Sequence, residues 1–329
     1  MPGNPFIGKR DSIGVGIETT PGTAVAPQAW KKQMALTLDP KTTVVQNNSA
    51  MGRVEDINDS AVTEEWVDGS INGIVGDTTI GYFLANMFGI VTPALHSSET
   101  IVYDNTFTVA SSTLPPSLTF ARSNPVRSQR FAMGTLTDLE IDIKQNDWVQ
   151  FTATVTAKSG TVSTETVAYT ANNLFTSKHV TIKTAANLAG LAGATALQAK
   201  SLKLKISRKA ERFTPLGGID PVSFDPNAWG VTGTIVTRYT DTTLEDIAFA
   251  NTAQAMSIAI VNTDVTIGTS AKPSLIFTAP QVRLDPQTLD NKLEQTLSAT
   301  YNFHAELNTT AGYMLQAVLT NLQNGYAHA

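Results

Sequence analysis

Apolar and polar positions alternate along most of the chain. Leu139, Ile141 and Ile143 point one way and Glu140, Asp142 and Lys144 the other, the period-two signature of a strand buried on one face. Phe151, Ala153 and Val155 alternate in the same way with Thr152, Thr154 and Thr156, and Leu202, Leu204 and Ile206 with Lys203, Lys205 and Ser207. Near the end, Leu293, Leu297, Ala299, Tyr301 and Phe303 stand against Glu294, Thr296, Ser298, Thr300, Asn302 and His304. Turn signals separate these runs. In two places the period lengthens to that of a helix. Ile80, Phe83, Leu84, Met87 and Phe88 follow Asp77, a good N-cap, and stop at Gly89; Leu244, Ile247 and Ala248 follow Asp241. The pattern predicts a mainly β chain with one short helix per half, each helix a lid over a β-sandwich or barrel.

The two halves echo each other. Trp66, Gly69-Ser70-Ile71 and Asp77-Thr78-Thr79 return in order as Trp229, Gly233-Thr234-Ile235 and Asp241-Thr242-Thr243. Pro116-Ser117-Leu118 with Phe120 returns as Pro273-Ser274-Leu275 with Phe277, and Ala153-Thr154 as Ala299-Thr300. Ordered matches whose spacing shortens are what a duplicated domain leaves once loops of the second copy are trimmed. Two tandem units of like fold are expected, residues 1–185 with an N-terminal arm and residues 186–329. Two long polar segments, Pro40 to Ala61 and Arg208 to Ala228, precede the echoed motifs in each half and lack either period. They read as functional arms or local disorder. The stretch from about Lys158 to Gln198 joins the copies and holds a strand near Val180-Thr181-Ile182.

At 329 residues the chain has room for two ordinary cores, and 42% hydrophobic with 16% charged residues describes a soluble Thr- and Val-rich β protein. With no Cys, disulfides and thiolate metal sites are excluded. The apolar run from Ile80 to Val91 is well short of the roughly 20 residues that span a bilayer, so membrane insertion is not expected. No secretory signal is legible at the N-terminus. A net charge of −5 lacks the cationic surplus of a nucleic-acid binder. His96, His179, His304 and His328 form no zinc pattern, and no nucleophile elbow, dinucleotide fingerprint or P-loop is present. The carboxylates at Glu55-Asp56-Asp59 and Glu64-Glu65 sit in polar segments where nothing desolvates them. No catalytic residue, metal or cofactor is therefore expected, and the chain reads as a non-enzyme.

Amphipathic strands leave open edges, and edges invite pairing with another copy. Two like domains per chain, closing head to tail with three-fold symmetry, would make a ring of six quasi-equivalent units whose strands merge into one large barrel. At this point the residues meet a known family. Val15-Gly16-Ile17-Glu18-Thr19-Thr20-Pro21-Gly22-Thr23-Ala24 followed by Trp30 resembles the N-terminal signature of bacteriophage tail tube proteins, the major tail proteins of long non-contractile tails. Leu216-Gly217-Gly218-Ile219-Asp220-Pro221, Gly233-Thr234-Ile235, Tyr239, Asp241 and Pro273-Ser274-Leu275 resemble them too.

The resemblance implies a structural virion protein. Its rings would stack into a hollow tube around a tape-measure protein, the tube later conducting double-stranded DNA from capsid to host, with other tail proteins at its ends and assembly in the host bacterial cytoplasm. It favours a trimeric ring with pseudo-six-fold symmetry, a hexamer being the alternative. It also places long loops between successive rings, which makes Met51, Arg53, Glu55, Asp56, Phe213 and Asp220 the candidate inter-ring contacts. DNA slides past an acidic or neutral wall and is held by a basic one. Glu140 and Asp142, on the polar face of a strand, are the candidate lumen-lining acids; the alternative that this face is the outer surface stays open. Lys203 and Lys205 belong outside the lumen or opposite carboxylates. The competing readings are a tail terminator or baseplate tube ring protein, or a polymerising bacterial surface β protein of adhesin or pilus type.

Overall fold

The computed structural model describes residues 6–32, 34–291 and 296–326. Leu293, Glu294 and His328 lie outside the described residues. The first part of the chain runs β1 (Ser12–Ile17), β2 (Ala29–Lys31), β3 (Ala35–Asn47), β4 (Asp59–Ile74), α1 (Ile80–Phe88), β5 (Gly89–Leu95), β6 (Tyr103–Val109), β7 (Leu118–Ser123), β8 (Ser128–Lys144), β9 (Gln150–Ala157) and β10 (Thr161–Val162). The second runs β11 (Val180–Ala185), β12 (Ala199–Phe213), β13 (Ser223–Arg238), α2 (Thr243–Phe249), β14 (Gln254–Val261), β15 (Ser274–Leu284), β16 (Thr288–Asp290), β17 (Ser298–Ala305) and β18 (Gln316–Asn321). The fold is mainly β with two short helices, as the periodicity predicts, and its strands do not close into a barrel within the chain.

Eight strands form the main sheet in the order β3–β4–β9–β8–β12–β13–β17–β16, each antiparallel to its neighbours. The order is a hairpin, a third and a fourth strand, then the same again. The seam between the two sets is β8–β12, where Ser201 to Ser207 run opposite Lys144 to Asp138. Core-facing Leu139, Ile141, Ile143, Phe151, Ala153, Leu202, Leu204, Ile206, Tyr301 and Phe303 are all buried, so the alternation read from sequence falls on the correct faces. A second layer covers that inner face. It consists of β2–β1–β7–β8–β10 over the first set and β11–β14–β15–β18–β6–β5 over the second. The long strands β8 and β15 serve both layers, β8 turning between them near its irregularity at Leu136/Asp138. The β5–β6 hairpin belongs to the first part of the chain yet extends the second layer of the other part, through β6–β18.

Helix α1 is not a surface lid. All nine of its residues are buried between the layers, with Phe83 against Phe120 of β7 and Phe151 of β9 at ring-centre distances of 6.5 and 5.3 Å. Its start is held differently from the predicted Asp77 cap. Asn172 Oδ1 accepts the Thr78 and Thr79 amides at 3.1 and 2.9 Å, while the Asp77 carboxylate binds Asn173 instead. An acceptor from a distant loop thus does the work of a local cap. In α2 Asp241 does accept the Thr243 amide at 2.9 Å, but only Ala248 is buried. The C-terminus of α1 is closed by the other half of the chain. Arg208 Nη1 donates to Asn86 O at 2.6 Å and Trp229 Nε1 to Met87 O at 3.2 Å.

Three of the sequence echoes join residues that are not structurally equivalent. Gly69 lies opposite Leu38 and Val155, and Gly233 opposite Leu204 and Phe303, so these glycines do correspond. From them, Ala153 corresponds to Tyr301 rather than Ala299, a slip of two residues that preserves the face and so the pattern. Trp66 and Trp229 point to opposite faces, Trp66 beside Asp68 on the outer face and Trp229 against Phe88 in the core. Pro116-Ser117-Leu118 enters β7, next to β1, whereas Pro273-Ser274-Leu275 enters β15, between β14 and β18. Proline before a strand meets the same local turn requirement in both places.

The two polar arms are strands. Pro40 to Ala61 forms the outer ends of β3 and β4 with the connection 48–58, and Arg208 to Ala228 the outer ends of β12 and β13 with the connection 214–222. Past the layered region most residues of these hairpins are exposed, so little requires every second residue to be apolar.

Candidate assembly surfaces

The outer face of the main sheet carries the polar half of every alternation. At its centre, across the β8–β12 seam, Lys203 Nζ lies 2.8 Å from Glu140 and Lys205 Nζ 3.1 Å from Asp138, while Lys144 binds Asp142 at 2.6 Å along β8. These side chains are roughly a quarter to three-fifths exposed. Opposed charges on adjacent antiparallel strands each contribute less than about 1 kcal/mol, so their main effect is on the potential of the face. Glu140 and Asp142 therefore sit where the alternation puts them but are neutralised, and Lys203 and Lys205 stand opposite carboxylates on the same face. Asp39 and Asp68 lie opposite each other across β3–β4, and Asp68 accepts a hydrogen bond from Trp66 Nε1 at 2.6 Å. Thr152, Thr154, Thr232, Thr234, Thr300 and Asn302 fill the rest, giving a polar surface with no excess of cations.

The arms form the second surface. Met51, Arg53, Glu55 and Asp56 are all exposed at the tip of the first, together with Val54 and Ile57. Phe213 and Asp220 are exposed on the second, beside a fully exposed Leu216. The structure thus separates the six candidates into two clusters, one per arm tip. It joins the arms at their bases. Arg212 grips Glu64 with two hydrogen bonds of 2.6 and 3.0 Å and stacks 3.6 Å over the Trp66 ring, Thr214 Oγ1 donates to Glu64 at 2.6 Å, and the Glu65 amide donates to Ile219 O at 2.8 Å. The second arm takes up the edge of β4 beyond the end of β9. The Arg212 hydrogen bond, followed by that of Thr214, holds the Glu64 carboxyl below its ordinary range. This latch was not legible as such: Glu64 and Trp66 stand out in the sequence, but their partner Arg212 is distant and in a segment without period.

Elsewhere titratable groups are tied into structural contacts. His179 is buried beside Asp264, His96 binds Asp104 and His304 lies near Glu306. Among the described residues no group of three or more His, Cys, Asp or Glu side chains is arranged to hold a metal ion, and no helix is long and apolar enough to cross a membrane.

The described residues thus present an edge-open sheet with a polar outer face and two projecting hairpins. The model of the family described as phage tail tube protein matches residues 8–305. The chain belongs to this family. As a tail tube protein it is a structural component of the virion that self-assembles into a tube. The match takes in both arms, the β8–β12 seam and β17. No curated protein matches the chain.

Proposed function

We propose that this tail tube protein is the major subunit of a long, non-contractile tail. Three chains close head to tail into a ring with pseudo-six-fold symmetry, rings stack in the host cytoplasm around a tape-measure protein, and double-stranded DNA later passes through the lumen. The observation that carries the reading is the β8–β12 seam, which joins two four-stranded sets of the same internal order into one sheet and leaves β3 and β16 at its outer edges. A chain that already pairs set to set has the geometry to pair with its neighbour in the same way, and such head-to-tail contacts make rings when the rotation closes. Eight strands per chain bring even three chains past the roughly 16–18 strands at which a barrel holds an aqueous channel.

The same pairing supports a duplicated chain. The boundary we place ahead of β11 rather than at residue 185, because β11 pairs with β14 of the second unit. The outer face becomes the channel wall: its lysines are occupied by carboxylates and offer phosphate no continuous grip. Met51, Arg53, Glu55 and Asp56 on one arm and Phe213 and Asp220 on the other form the contacts between successive rings, with terminal tail proteins capping the tube.

Electron cryomicroscopy of assembled material tests this. Stacked rings of three chains around a hollow lumen are the expected result. Six chains per ring would overturn the trimer, and isolated rings that never stack would favour a tube terminator or baseplate ring. Solid fibres would return the chain to a pilus-like role.

A further inference from the structure

The seam inside the chain specifies the seam between chains. Gly69 and Gly233 are pinched alike against the first strand of each hairpin: a Cβ would lie 1.9 Å from Thr37 O at Gly69 and 2.5 Å from Lys203 O at Gly233. Thr37 therefore corresponds to Lys203, Leu38 to Leu204 and Asp39 to Lys205. On the far side of each set, Thr152 faces Asn72 and Glu140, while Thr300 faces Val236 and Thr288, so Thr288 corresponds to Glu140 and Leu289 to Ile141. Within the chain Leu204 lies opposite Ile141 and Lys205 opposite Glu140.

We infer that β16 of one chain pairs with β3 of a second copy in this same register, setting Leu289 opposite Leu38 and Thr288 opposite Asp39. The inference rests on the ring reading above and adds which edges meet and how. The occupant is a second copy because the template is the chain's own sheet continued by one more set. Side-chain chemistry agrees with the register. Leu289 is 42% exposed although its counterpart Ile141 is 1% exposed, and pairing in this register lays it on the core face beside buried Leu38. The two seams differ in kind. Lysine–carboxylate pairs cross β8–β12, whereas in this register Thr37 faces Asp290 and Asp39 faces Thr288, with no lysine on either strand at these positions. The interchain seam is held by backbone hydrogen bonds and leucine burial.

Directly opposed residues on antiparallel strands have Cα atoms about 4.5–5.5 Å apart, inside the range a disulfide spans. The chain has no cysteine, so two introduced thiols are the only ones present. Asp39 and Thr288 are both exposed and their substitution leaves the core intact. Tubes of the Asp39→Cys/Thr288→Cys double variant, oxidised and run without reductant, are expected to shift from the 35.1 kDa monomer to bands at about two and three times that mass and to stop there. Each single variant and the Ala35→Cys/Thr288→Cys pair, four residues or about 13 Å out of register, are expected to remain monomeric. If tubes are visible by negative stain but Asp39→Cys/Thr288→Cys stays monomeric, or the out-of-register pair cross-links, the register is overturned and the ring reading stands. A ladder that runs to six supports the seam and overturns the three-chain ring. Absence of any ring overturns both.

Discussion

Arg208 joins the two parts of the chain at the point where α1 ends, and its replacement reads how strongly. The guanidinium is 4% exposed, and its hydrogen-bond partners are amide oxygens rather than carboxylates. It donates to Asn86 O at 2.6 Å, Asn86 Oδ1 at 3.2 Å and Leu136 O at 3.3 Å, and burial lowers its pKa from 12.5 to about 10. Arg208 stays charged at neutral pH, at a desolvation cost of about 3 kcal/mol by that shift. Against this stand two carbonyls that lose their donor if it is removed, about 1–3 kcal/mol each, and a cation at a helix C-terminus, about 1 kcal/mol. Asn86 Oδ1 keeps the Leu136 amide at 2.8 Å and adds little to the loss. Arg208→Ala also empties the volume of the stem, so the balance is a destabilisation of about 3 kcal/mol. Arg208→Met refills that volume and is expected to cost only about 1 kcal/mol. Scanning calorimetry on unassembled chain reads the difference, at roughly 2 °C per kcal/mol for a chain of this size, so Arg208→Ala should melt about 6 °C lower. If Arg208→Met melts at or above the parent and Arg208→Ala within a degree of it, desolvation dominates and the guanidinium does not clamp the halves together.

Three further outcomes follow from the contacts between distant segments. Glu64→Gln weakens the arm latch, so trypsin is expected to cut after Arg212 several-fold faster in unassembled chain; an unchanged rate would mean the arm is held by the Ile219 carbonyl and Trp66 stacking alone. Glu99 accepts the Thr269, Ser270 and Ala271 amides at 2.8, 2.7 and 3.1 Å, and these hold its pKa at about 2 against an ordinary 4.5. Its folded pKa is depressed, so the stability it contributes is present above pH 4.5 and lost as pH falls towards 2. The melting temperature of Glu99→Gln should accordingly converge with that of the parent over this window, and a constant gap would refute the linkage. Lys31 is buried over the Phe151 ring with Nζ donating to Thr79 Oγ1 at 2.8 Å, and burial brings its pKa from 10.5 to about 7. The unfolded chain keeps that proton up to pH 10.5 while the folded chain releases it near 7, so stability rises with pH between these values. Lys31→Met should lack that rise, as melting curves at pH 7 and 9.5 would reveal.

The strands of the main sheet were legible because one of their faces is buried. Wherever the second layer covers the sheet, as over Leu139–Ile143 or Leu202–Ile206, packing forces every second residue to be apolar and the period is plain. The arms beyond it escape that constraint, and the same β3 and β12 strands lost their signature where they leave the covered region. Local motifs misled for the complementary reason. A tryptophan or a Pro-Ser-Leu run answers a local need, and Trp66 and Trp229 meet two different ones on opposite faces of corresponding strands. The glycines were better guides, since Gly69 and Gly233 are each required by the close approach of a neighbouring backbone carbonyl. Long-range partners such as Asn172 on α1, Arg212 on Glu64 and Arg208 on Asn86 have no spacing rule and emerge only from the fold.

The charge pairs across β8–β12 give the proposed channel wall its most direct test. Lys203 and Lys205 are the cations at the centre of the outer face, and Glu140 and Asp138 occupy them at 2.8 and 3.1 Å. Asp138→Asn with Glu140→Gln keeps shape and hydrogen-bonding capacity but frees both ammonium groups, once in every chain of every ring. Each phosphate then neutralised would add a counterion-release term, steepening the dependence of binding on salt by about 0.9 per contact. Because the contacts recur along the tube, even weak ones accumulate on a continuous duplex. Double-variant tubes opened at both ends should therefore retain linear DNA at about 50 mM salt and release it by about 200 mM, while parent tubes retain none at either. Retention that is blocked when the tube ends are sealed places the lysines inside. Equal retention by sealed tubes would put this face on the outside and remove the low-friction argument, whatever the ring stoichiometry.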